Sequence, residues 1–309
     1  MNAPCTLCPR RCRAVRPPSL SEGLPAVGAC RAPLTAVVSR AGLHRWEEPV
    51  ISGERGSGAV FFSGCNLHCV FCQNHAISRG CAGVEYSAGK LREIYSRLID
   101  RGAHNINLVT PGHFLPAILP SLEEKLPVPV VWNSNGYELP ETLRLLEGKV
   151  EIFLPDLKYG DPAAAQRYSR APDYFETACA AIEEMYRQTG PFVIGDDGLM
   201  RRGVIIRHLI LPGLPENTLR VIEFVARRFR PGEVMFSLMR QYLPCGEVSA
   251  ERFPELDRRI SEEEYRAAED ALFASGIEDG FVQDADSAEA QFIPDFSPGA
   301  ADPDALPLG

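Results

Sequence analysis

The amino-acid sequence predicts an α/β fold: a partial (β/α)6 TIM-like barrel with a cysteine-rich metal-binding extension on its N-terminal side. Three observations support this prediction. The chain has 309 residues, a length that suits one barrel domain with a sizeable core. Short apolar runs alternate with amphipathic helical stretches, which is typical of parallel βα units. Ten cysteines are present, and most of them fall in two groups, one near the start and one after the first apolar strand.

The strands and helices of the predicted barrel follow one another through the middle of the chain. In the first helical stretch, Leu91, Ile94 and Leu98 fall on one face at helical spacing. Six parallel strands would form an open barrel, and a further helix is predicted at 262–275. The predicted strands are 59–63, 105–109, 128–132, 150–154, 203–210 and 233–238, and the helices between them are 87–101, 114–125, 138–147, 173–188 and 215–229.

The chain divides into four predicted segments that differ in composition. Residues 1–57 form an N-terminal cysteine-rich metal-binding extension, and residues 58–245 form the barrel. A C-terminal helix and closing segment occupies residues 246–283. Residues 284–309 are acidic and rich in Pro, Gly and Ala, which predicts a flexible tail.

Charge and hydropathy limit the classes of partner. The formal net charge is −9, but residues 267–309 carry ten Asp and Glu and no Lys or Arg, so the rest of the chain is close to neutral. No dense basic stripe is present, which argues against nucleic acid as a partner. No apolar run approaches the length of a bilayer span and no signal pattern is visible, so we expect a cytoplasmic protein without a membrane partner. In that compartment, ten cysteines favour metal ligation over disulfides.

The most specific motif is the loop 64–74, with the sequence Gly-Cys-Asn-Leu-His-Cys-Val-Phe-Cys-Gln-Asn. Three thiolates on one short loop suit an iron–sulfur cube in which one iron has no protein ligand. A structural zinc site would need four protein ligands. Cys81 or His68 could supply the fourth ligand, so a closed zinc site is the alternative. The cysteines with this C-x3-C-x2-C spacing are Cys65, Cys69 and Cys72.

A second cysteine group lies in the N-terminal extension. Its members are separated by two, three and seventeen residues, so three ligands are local and one is distant. Four soft ligands suit either zinc or a second iron–sulfur cluster, and the spacing does not choose between them. Unrelated thiols are the alternative. The group consists of Cys5, Cys8, Cys12 and Cys30.

Polar residues follow the predicted strands, where the reactive groups of an α/β barrel gather. Asp156 and Lys158 are two residues apart and face the same way on an extended strand, which suits a pair that holds a polar ligand, or a structural ion pair. His113 is either a catalytic or a hydrogen-bonded structural histidine. Arg207 and His208 alternate faces, so only one of them can point into the barrel.

The motifs of the chain resemble those of one family. Residues 59–245 resemble the glycyl-radical-enzyme activases of the radical S-adenosylmethionine (SAM) superfamily. The stretch from Cys5 to about Gln283 is similar to the pyruvate formate-lyase-activating-enzyme-like branch. The motifs that carry the resemblance are Cys-x-x-Cys-Pro-Arg-x-Cys at 5–12, Glu47-Glu48-Pro49, Gly-Ser-Gly at 56–58, the three-cysteine loop with Gln73-Asn74, Asn-Ile-Asn-Leu-Val-Thr-Pro at 105–111, Leu-Pro-Asp-Leu-Lys-Tyr at 154–159 and Arg-His-Leu-Ile-Leu-Pro-Gly at 207–213.

This resemblance implies a cofactor and a reaction. Cys65, Cys69 and Cys72 would hold a 4Fe–4S cluster whose fourth iron binds the amino and carboxylate groups of SAM. An electron donor such as flavodoxin or ferredoxin would reduce the cluster. SAM would then be cleaved to methionine and a 5′-deoxyadenosyl radical, which takes a hydrogen atom from a substrate.

The resemblance also implies contacts to SAM. Asn135 and Asp156 are candidates for the ribose side, and Lys158 is a candidate for the carboxylate side. Activases usually carry Gly-Gly-Glu at the end of the second strand to hold the amino group of SAM. Here Thr110-Pro111-Gly112 stands at that place, so Thr110 is the cofactor-binding candidate there. The extra cysteines also precede the three-cysteine loop, whereas activases with extra clusters have them after it.

Three functions are compatible with these motifs. A protein-activating enzyme would take hydrogen from a backbone glycine of a partner glycyl radical enzyme, which needs a wide barrel mouth. A second possibility is a radical SAM enzyme that modifies a small molecule or a peptide. The third is a non-enzymatic two-cluster electron carrier, which needs no SAM pocket.

Overall fold

The computed structural model of the protein describes residues 4–20, 28–283, 296 and 304–308. Its centre is a mostly parallel sheet, and the α/β prediction is confirmed. The six strands predicted for the barrel are β2, β4, β5, β6, β8 and β9 of the following series. The strands are β1 (Ala36–His44), β2 (Ser57–Phe62), β3 (Val84–Tyr86), β4 (Ile106–Val109), β5 (Val130–Ser134), β6 (Ile152–Pro155), β7 (Val193–Ile194), β8 (Met200–Leu209), β9 (Met235–Met239) and β10 (Gly280–Val282).

The sheet has the strand order β10-β9-β8-β6-β5-β4-β2-β1-β3, with β7 paired to β8. All pairs from β2 to β10 along this order are parallel. Phe61 pairs with Val109, Val109 with Asn133 and Ser134 with Pro155, so neighbouring strands end at about the same level. The loops that follow these strands therefore meet at one mouth of the barrel.

Nine α-helices occur in the part of the chain that the structure describes. In α3 the buried residues are Leu91, Ile94, Tyr95 and Leu98, as the helical spacing predicts. The helices are α1 (Pro49–Ser52), α2 (His75–Ser78), α3 (Ala88–Asp100), α4 (Leu115–Ile118), α5 (Pro140–Leu143), α6 (Pro162–Ser169), α7 (Tyr174–Thr189), α8 (Pro215–Arg228) and α9 (Glu262–Ala274).

Two predicted helices are broken into short turns. The stretch predicted as a helix at 114–125 consists of two 3₁₀ turns, Gly112–Phe114 and Leu119–Leu122, on either side of α4. Pro116 and Pro120 lack the N–H that a continuous helix needs at those positions, which explains the break. The stretch predicted at 138–147 is likewise α5 followed by a 3₁₀ turn.

An antiparallel pair extends the sheet beyond the predicted barrel. Strand β1 pairs with β2 on one side and with β3 on the other. The sequence of β1 is buried almost throughout and lacks period-two alternation, so the pattern does not reveal a strand with one solvated face. Because β1 lies next to β2, the N-terminal extension that contains it lies beside the loop that follows β2.

The barrel interior is layered along the strands. Val131 and Ile205 belong to an apolar cluster at the amino ends of the strands, together with Ile51 of α1. The next inward residues of the same strands are Asn133 and Arg207, which are polar and largely buried. Because side chains alternate along a strand, this arrangement places a polar layer directly below the barrel mouth.

Two pieces of the predicted flexible tail contact the barrel. Phe296 packs edge-on against Phe61, with ring centroids 5.4 Å apart. The backbone N–H of Leu306 donates to Ala41 at 2.7 Å, and the Leu306 side chain is buried. The tail is therefore docked where the structure describes it, and the other residues of 284–309 lie outside the described ranges. Within the described ranges, no helix is long and apolar enough to cross a membrane.

Candidate active site

A cavity of about 220 Å³ opens at the mouth of the barrel. Thiols, a lysine, an arginine and carboxylates line it together with apolar or aromatic side chains, of which Phe61, Ile77 and Val109 pack in one cluster. The polar group includes Glu47, Cys65, Cys69, Cys72, Thr110, Asn133, Asn135, Asp156, Lys158 and Arg207, and the second group includes His44, Trp46, Phe61, Ile77 and Val109. All site residues predicted after the barrel strands, except His113 and His208, line this cavity.

The three-cysteine loop turns sharply to present its thiols. Gly64 has φ +80°, and a Cβ there would lie 2.6 Å from the carbonyl oxygen of Cys30, so only glycine fits. His68 also has a positive φ, +57°. The Sγ of Cys65 accepts hydrogen bonds from the Leu67 N–H at 3.4 Å and from Asn135 Nδ2 at 3.3 Å. Such N–H···S bonds suit a sulfur that carries negative charge.

The chemistry of this donor set fits an iron–sulfur cluster. Burial, followed by the proximity of Cys69 and Cys65, raises the pKa of the Cys72 thiol to about 12. Burial also raises the pKa of Cys69, and the nearby Lys158 ammonium opposes that rise. A bound cation stabilises the thiolate forms of buried thiols such as Cys69 and Cys72. Among the described residues, no three His, Cys, Asp or Glu side chains converge in the arrangement of a bound metal ion.

A chain of charges crosses the cavity floor. Asp156 accepts from Lys158 Nζ at 2.6 Å through one carboxylate oxygen and from Arg207 Nε at 3.0 Å through the other. Arg207 donates further to Asn133 Oδ1 at 2.7 Å and to Glu47 Oε2 at 2.8 Å. Burial works against the charge of Asp156, but Arg207 and Lys158 hold its pKa below the ordinary value. The predicted Asp156–Lys158 ion pair is present and faces the cavity.

Glu47 and Glu48 are adjacent and have opposite environments. Glu47 accepts from Asn107 and Asn133 through Oε1 and from Arg207 through Oε2. Glu48 is buried, and its Oε2 has no hydrogen-bond partner among the described residues. Burial raises the pKa of Glu48, and the Glu47 charge adds to the rise. Arg207 Nη1, which lies 3.8 Å from Glu48 Oε2, opposes this rise.

The structure separates the two histidines of the predicted site from the cavity chemistry. His113 is buried and donates through Nε2 to the Ser63 carbonyl at 2.7 Å, and burial lowers its pKa to about 3. His208 donates to the Leu157 carbonyl at 2.6 Å and contacts the Thr218 hydroxyl at 3.0 Å. Arg207 is thus the residue of the Arg207-His208 pair that faces the barrel interior.

Thr110 and Asn135 both line the cavity but have different surroundings. Thr110 has φ +54°, an uncommon conformation for a β-branched residue, at the carboxyl end of β4. Asn135 uses its amide group within the site, because Nδ2 donates to Cys65 Sγ and to Asn66 Oδ1 and Oδ1 accepts from the Tyr137 N–H. Asn135 therefore supports the cysteine loop, and its contact to the ribose of SAM stays a prediction.

The N-terminal extension holds the back of the cysteine loop. Arg10 donates to the Asn66 carbonyl at 2.8 Å and to the Leu67 carbonyl at 3.1 Å. The Nε2 of His68 donates to the carbonyl of Ala29. The extension and the loop are thus joined through backbone carbonyls, a type of contact that residue spacing does not reveal.

The four N-terminal cysteines lie in one neighbourhood beside this loop. Burial raises the pKa of Cys8 to about 11, with contributions from Cys30 and Cys5. Burial likewise raises the pKa of Cys30, to which Cys5 and Cys12 add. Thiols influence one another in this way only at short range. Burial, with a smaller contribution from Cys30, raises the pKa of Cys81 to about 11, so Cys81 belongs to the same neighbourhood.

Two cavity residues were missed by the sequence-based site prediction. The Glu47-Glu48-Pro49 motif gives no position for Glu47 in the site. The alternation of Arg207 and His208 does not show which of the two faces the barrel interior. The signal that could have found them is a pair of charges in segments that are otherwise buried, because buried charges require partners. Trp46 at the mouth is 63% exposed, which is unusual for a tryptophan and could have marked a binding surface.

The sequence profile of the radical SAM superfamily matches residues 59–225, which is more than half of the chain. The chain therefore belongs to the radical SAM superfamily. Its cofactors are accordingly a 4Fe–4S cluster and SAM. An uncharacterised protein of Methanocaldococcus jannaschii, MJ0674, is 32% identical over 239 residues, which cover 73% of this chain and 64% of that protein. The chain thus spans less than two thirds of this relative.

Solved structures resemble the chain more distantly. The crystal structure of Streptococcus suis SuiB bound to its precursor peptide SuiA has a TM-score of 0.47 and 12% identity, covering 72% of this chain and 47% of SuiB. The crystal structure of QueE from Escherichia coli has a TM-score of 0.42 and 12% identity, covering 81% of this chain and 94% of QueE.

The contrast between Glu47 and Glu48 predicts opposite effects of the same substitution. A group with a raised folded-state pKa stabilises the protein below its unfolded pKa, and this stability is lost as pH rises through the folded pKa. E48Q should therefore gain more free energy of unfolding relative to the wild type at pH 8 than at pH 4, which lies below the ordinary pKa of glutamate. E47Q should lose about 3 kcal/mol at pH 8, because it removes one of the two carboxylates to which Arg207 donates. Urea denaturation at the two pH values measures both effects, and equal losses in the two variants would contradict the assignment.

Proposed function

We propose that the protein is a radical SAM enzyme of the pyruvate formate-lyase-activating-enzyme-like branch, acting on a glycine of a partner glycyl radical enzyme. The observation that carries the enzymatic part is one cavity that gathers three thiols, an ammonium and a carboxylate: Cys65, Cys69, Cys72, Lys158 and Asp156. An electron carrier without SAM would need no such cavity, which weighs against the two-cluster carrier.

The residues around the cavity have distinct roles in this proposal. Cys65, Cys69 and Cys72 hold the cluster. When bound, the cluster and SAM supply a 5′-deoxyadenosyl radical that takes a hydrogen atom from the substrate. Lys158 gives one N–H to Asp156, and its other N–H groups serve the carboxylate of SAM. Asp156 has both oxygens in hydrogen bonds already, so it orients Lys158 and borders the ribose.

The amino group of SAM needs an acceptor in place of the Gly-Gly-Glu motif. Thr110 stands at the corresponding strand end and lines the cavity. Its side-chain hydroxyl and its backbone carbonyl are both acceptors. We assign the amino-group contact to this turn, whose left-handed conformation at Thr110 is the kind of local strain found at ligand sites.

The apolar wall of the cavity favours a backbone segment as the substrate. Trp46 is exposed at the mouth, and Phe61, Ile77 and Val109 continue the wall inward. A glycine loop carries no charge and can lie against such a wall, whereas a charged small molecule would lose solvation there. A small molecule or a peptide as substrate is the alternative.

The N-terminal cysteines form a separate metal site in this proposal, with a structural role. The described residues of the extension before residue 34 contribute few apolar side chains to the core, and their attachment to the cysteine loop runs through Arg10 and His68. A bound metal would supply the folding energy that such a segment lacks. Zinc is favoured because four thiolates close its shell, and a second iron–sulfur cluster is the alternative.

The central part of the proposal predicts which cysteines are needed for SAM cleavage. C65A, C69A and C72A each remove a cluster ligand, so anaerobically reconstituted variants treated with dithionite should form less than about 1% of the wild-type amount of 5′-deoxyadenosine. The matched control is C179A, which removes a half-buried thiol of α7 outside the cavity and should retain wild-type formation. Chromatography of 5′-deoxyadenosine measures the outcome. Wild-type amounts in any of the three variants would contradict the assignment.

The identity of the substrate follows from the origin of the hydrogen atom. A glycyl radical enzyme grown on glycine deuterated at the α-carbon should deliver deuterium into 5′-deoxyadenosine in the presence of this protein. The same enzyme with the radical-bearing glycine replaced by alanine is the control. Transfer from a deuterated small molecule or peptide instead would replace the glycyl substrate and leave the radical SAM assignment intact.

The N-terminal site predicts a metal content that separates zinc from iron. In the C65A/C69A/C72A triple variant only Cys5, Cys8, Cys12 and Cys30 can remain loaded, so we expect about one zinc and no acid-labile sulfide per chain. Plasma emission spectrometry together with a sulfide assay measures this ratio. Stoichiometric iron with sulfide would exclude the zinc assignment and identify a second cluster.

A further inference from the structure

A second cavity, of about 380 Å³, lies between the N-terminal extension, the cysteine loop and the segment after β9. Its lining is dominated by arginine, although the whole chain has a formal net charge of −9. We call it the arginine cleft. Its arginines are Arg10, Arg31, Arg79, Arg167, Arg170 and Arg252.

The arginine cleft borders the same loop that carries the cluster cysteines. His68 and Val70 line the cleft, while their neighbours Cys69 and Cys72 line the active-site cavity. Arg79 donates to the carbonyls of His68 and Cys69, each at 3.2 Å. The cleft therefore gives a surface close to the cluster ligands that is distinct from the active-site cavity.

The charge of the cleft is spread over its rim. Arg31, Arg167, Arg170 and Arg252 are exposed. Glu247 is the carboxylate of the lining, and it accepts from Arg79 and from Arg252, each at 2.7 Å. The arginines of the lining thus outnumber its carboxylates, and the local potential is positive on a protein that is acidic as a whole.

The position of Glu247 argues against a small anion as the occupant. A phosphate or carboxylate bound between Arg79 and Arg252 would have to displace the Glu247 carboxylate that already joins them. A large acidic surface has no such requirement, because it interacts with the exposed rim arginines at longer range.

We propose that the arginine cleft is the docking surface for an acidic protein that donates single electrons to the cluster. This inference rests on the proposed function, since the cluster must be reduced by one electron before SAM is cleaved. In the docked complex one electron leaves the donor and one enters the cluster, with no bond made or broken. The donor is a low-potential one-electron carrier with a carboxylate-rich surface.

The test reverses charge at two rim arginines that support neither the cysteine loop nor the cavity. Arg170 has an exposed side chain, and Arg31 is exposed and donates to the Arg79 carbonyl. The variant is R31E/R170E. The control, R227E/R230E, makes the same charge change at two exposed positions near the end of α8 that do not line the cleft. The probe is a carboxylate-rich flavodoxin, reduced in advance and mixed with the cluster-loaded full chain.

Flavodoxin-dependent and dithionite-dependent measurements together distinguish a loss of docking from a loss of SAM cleavage. R31E/R170E should bind the flavodoxin at least tenfold more weakly than wild type at low salt, and flavodoxin-driven reduction of the cluster, followed by stopped-flow absorbance, should slow by a similar factor. Both differences should shrink at high salt, because the attraction is screened. Dithionite-driven formation of 5′-deoxyadenosine should be unchanged in both variants.

Three outcomes would overturn the docking proposal. One is wild-type binding and reduction by R31E/R170E, and another is an equal loss in R227E/R230E. The third is release of flavodoxin by millimolar pyrophosphate but not by sodium chloride of equal ionic strength, which would identify a small-anion site. Absence of dithionite-driven SAM cleavage in the wild type would instead contradict the proposed function, and the binding data would still decide the docking question.

Discussion

The active site depends on the hydrogen bonds that the backbone carbonyl groups of the cysteine loop accept. A loop that turns its three thiols inward must turn several backbone carbonyls outward, and unpaired buried carbonyls are costly. Two arginines donate hydrogen bonds to these carbonyls. Arg10 of the extension donates to those of Asn66 and Leu67, and Arg79 after the loop donates to those of His68 and Cys69. Guanidinium groups suit this task because each offers five donors in a rigid fork. The positive charges that result on the back of the loop also create the arginine cleft.

A second constraint lies inside the barrel, where Arg207 joins segments that are distant in the chain. It reaches Glu47 before β2, Asn133 on β5 and Asp156 at the end of β6. Two basic side chains, Arg207 and Lys158, face the acidic side chains of Glu47 and Asp156, and Glu48 Oε2 lies 3.8 Å from Arg207 Nη1. Such a network is stable only when each member has its partner. It therefore fixes the orientation of Lys158 toward the cavity before any ligand binds.

The sequence was most informative where the determining pattern is local. Apolar runs alternating with amphipathic helices identified six of the seven parallel strands, all but the short edge strand β10, and the spacing of Cys65, Cys69 and Cys72 identified the loop. The contacts between distant residues were not predictable in the same way. Arg207 and Glu47 are 160 residues apart, and Arg10 and Asn66 are 56 apart. Strand β1 was missed because its burial on both faces removes the alternation that marks a strand.

The central claim is that SAM binds to the cluster of Cys65, Cys69 and Cys72 in the cavity floored by Lys158 and Asp156. Electron–nuclear double resonance on the reduced, reconstituted protein tests it most directly, using SAM labelled with ¹⁷O in its carboxylate or ¹⁵N in its amino group. The account predicts hyperfine coupling of both labels to the cluster spin, and a change in the ¹⁷O coupling when Lys158 is replaced by methionine. A reduced cluster that shows no coupling to either label would contradict it.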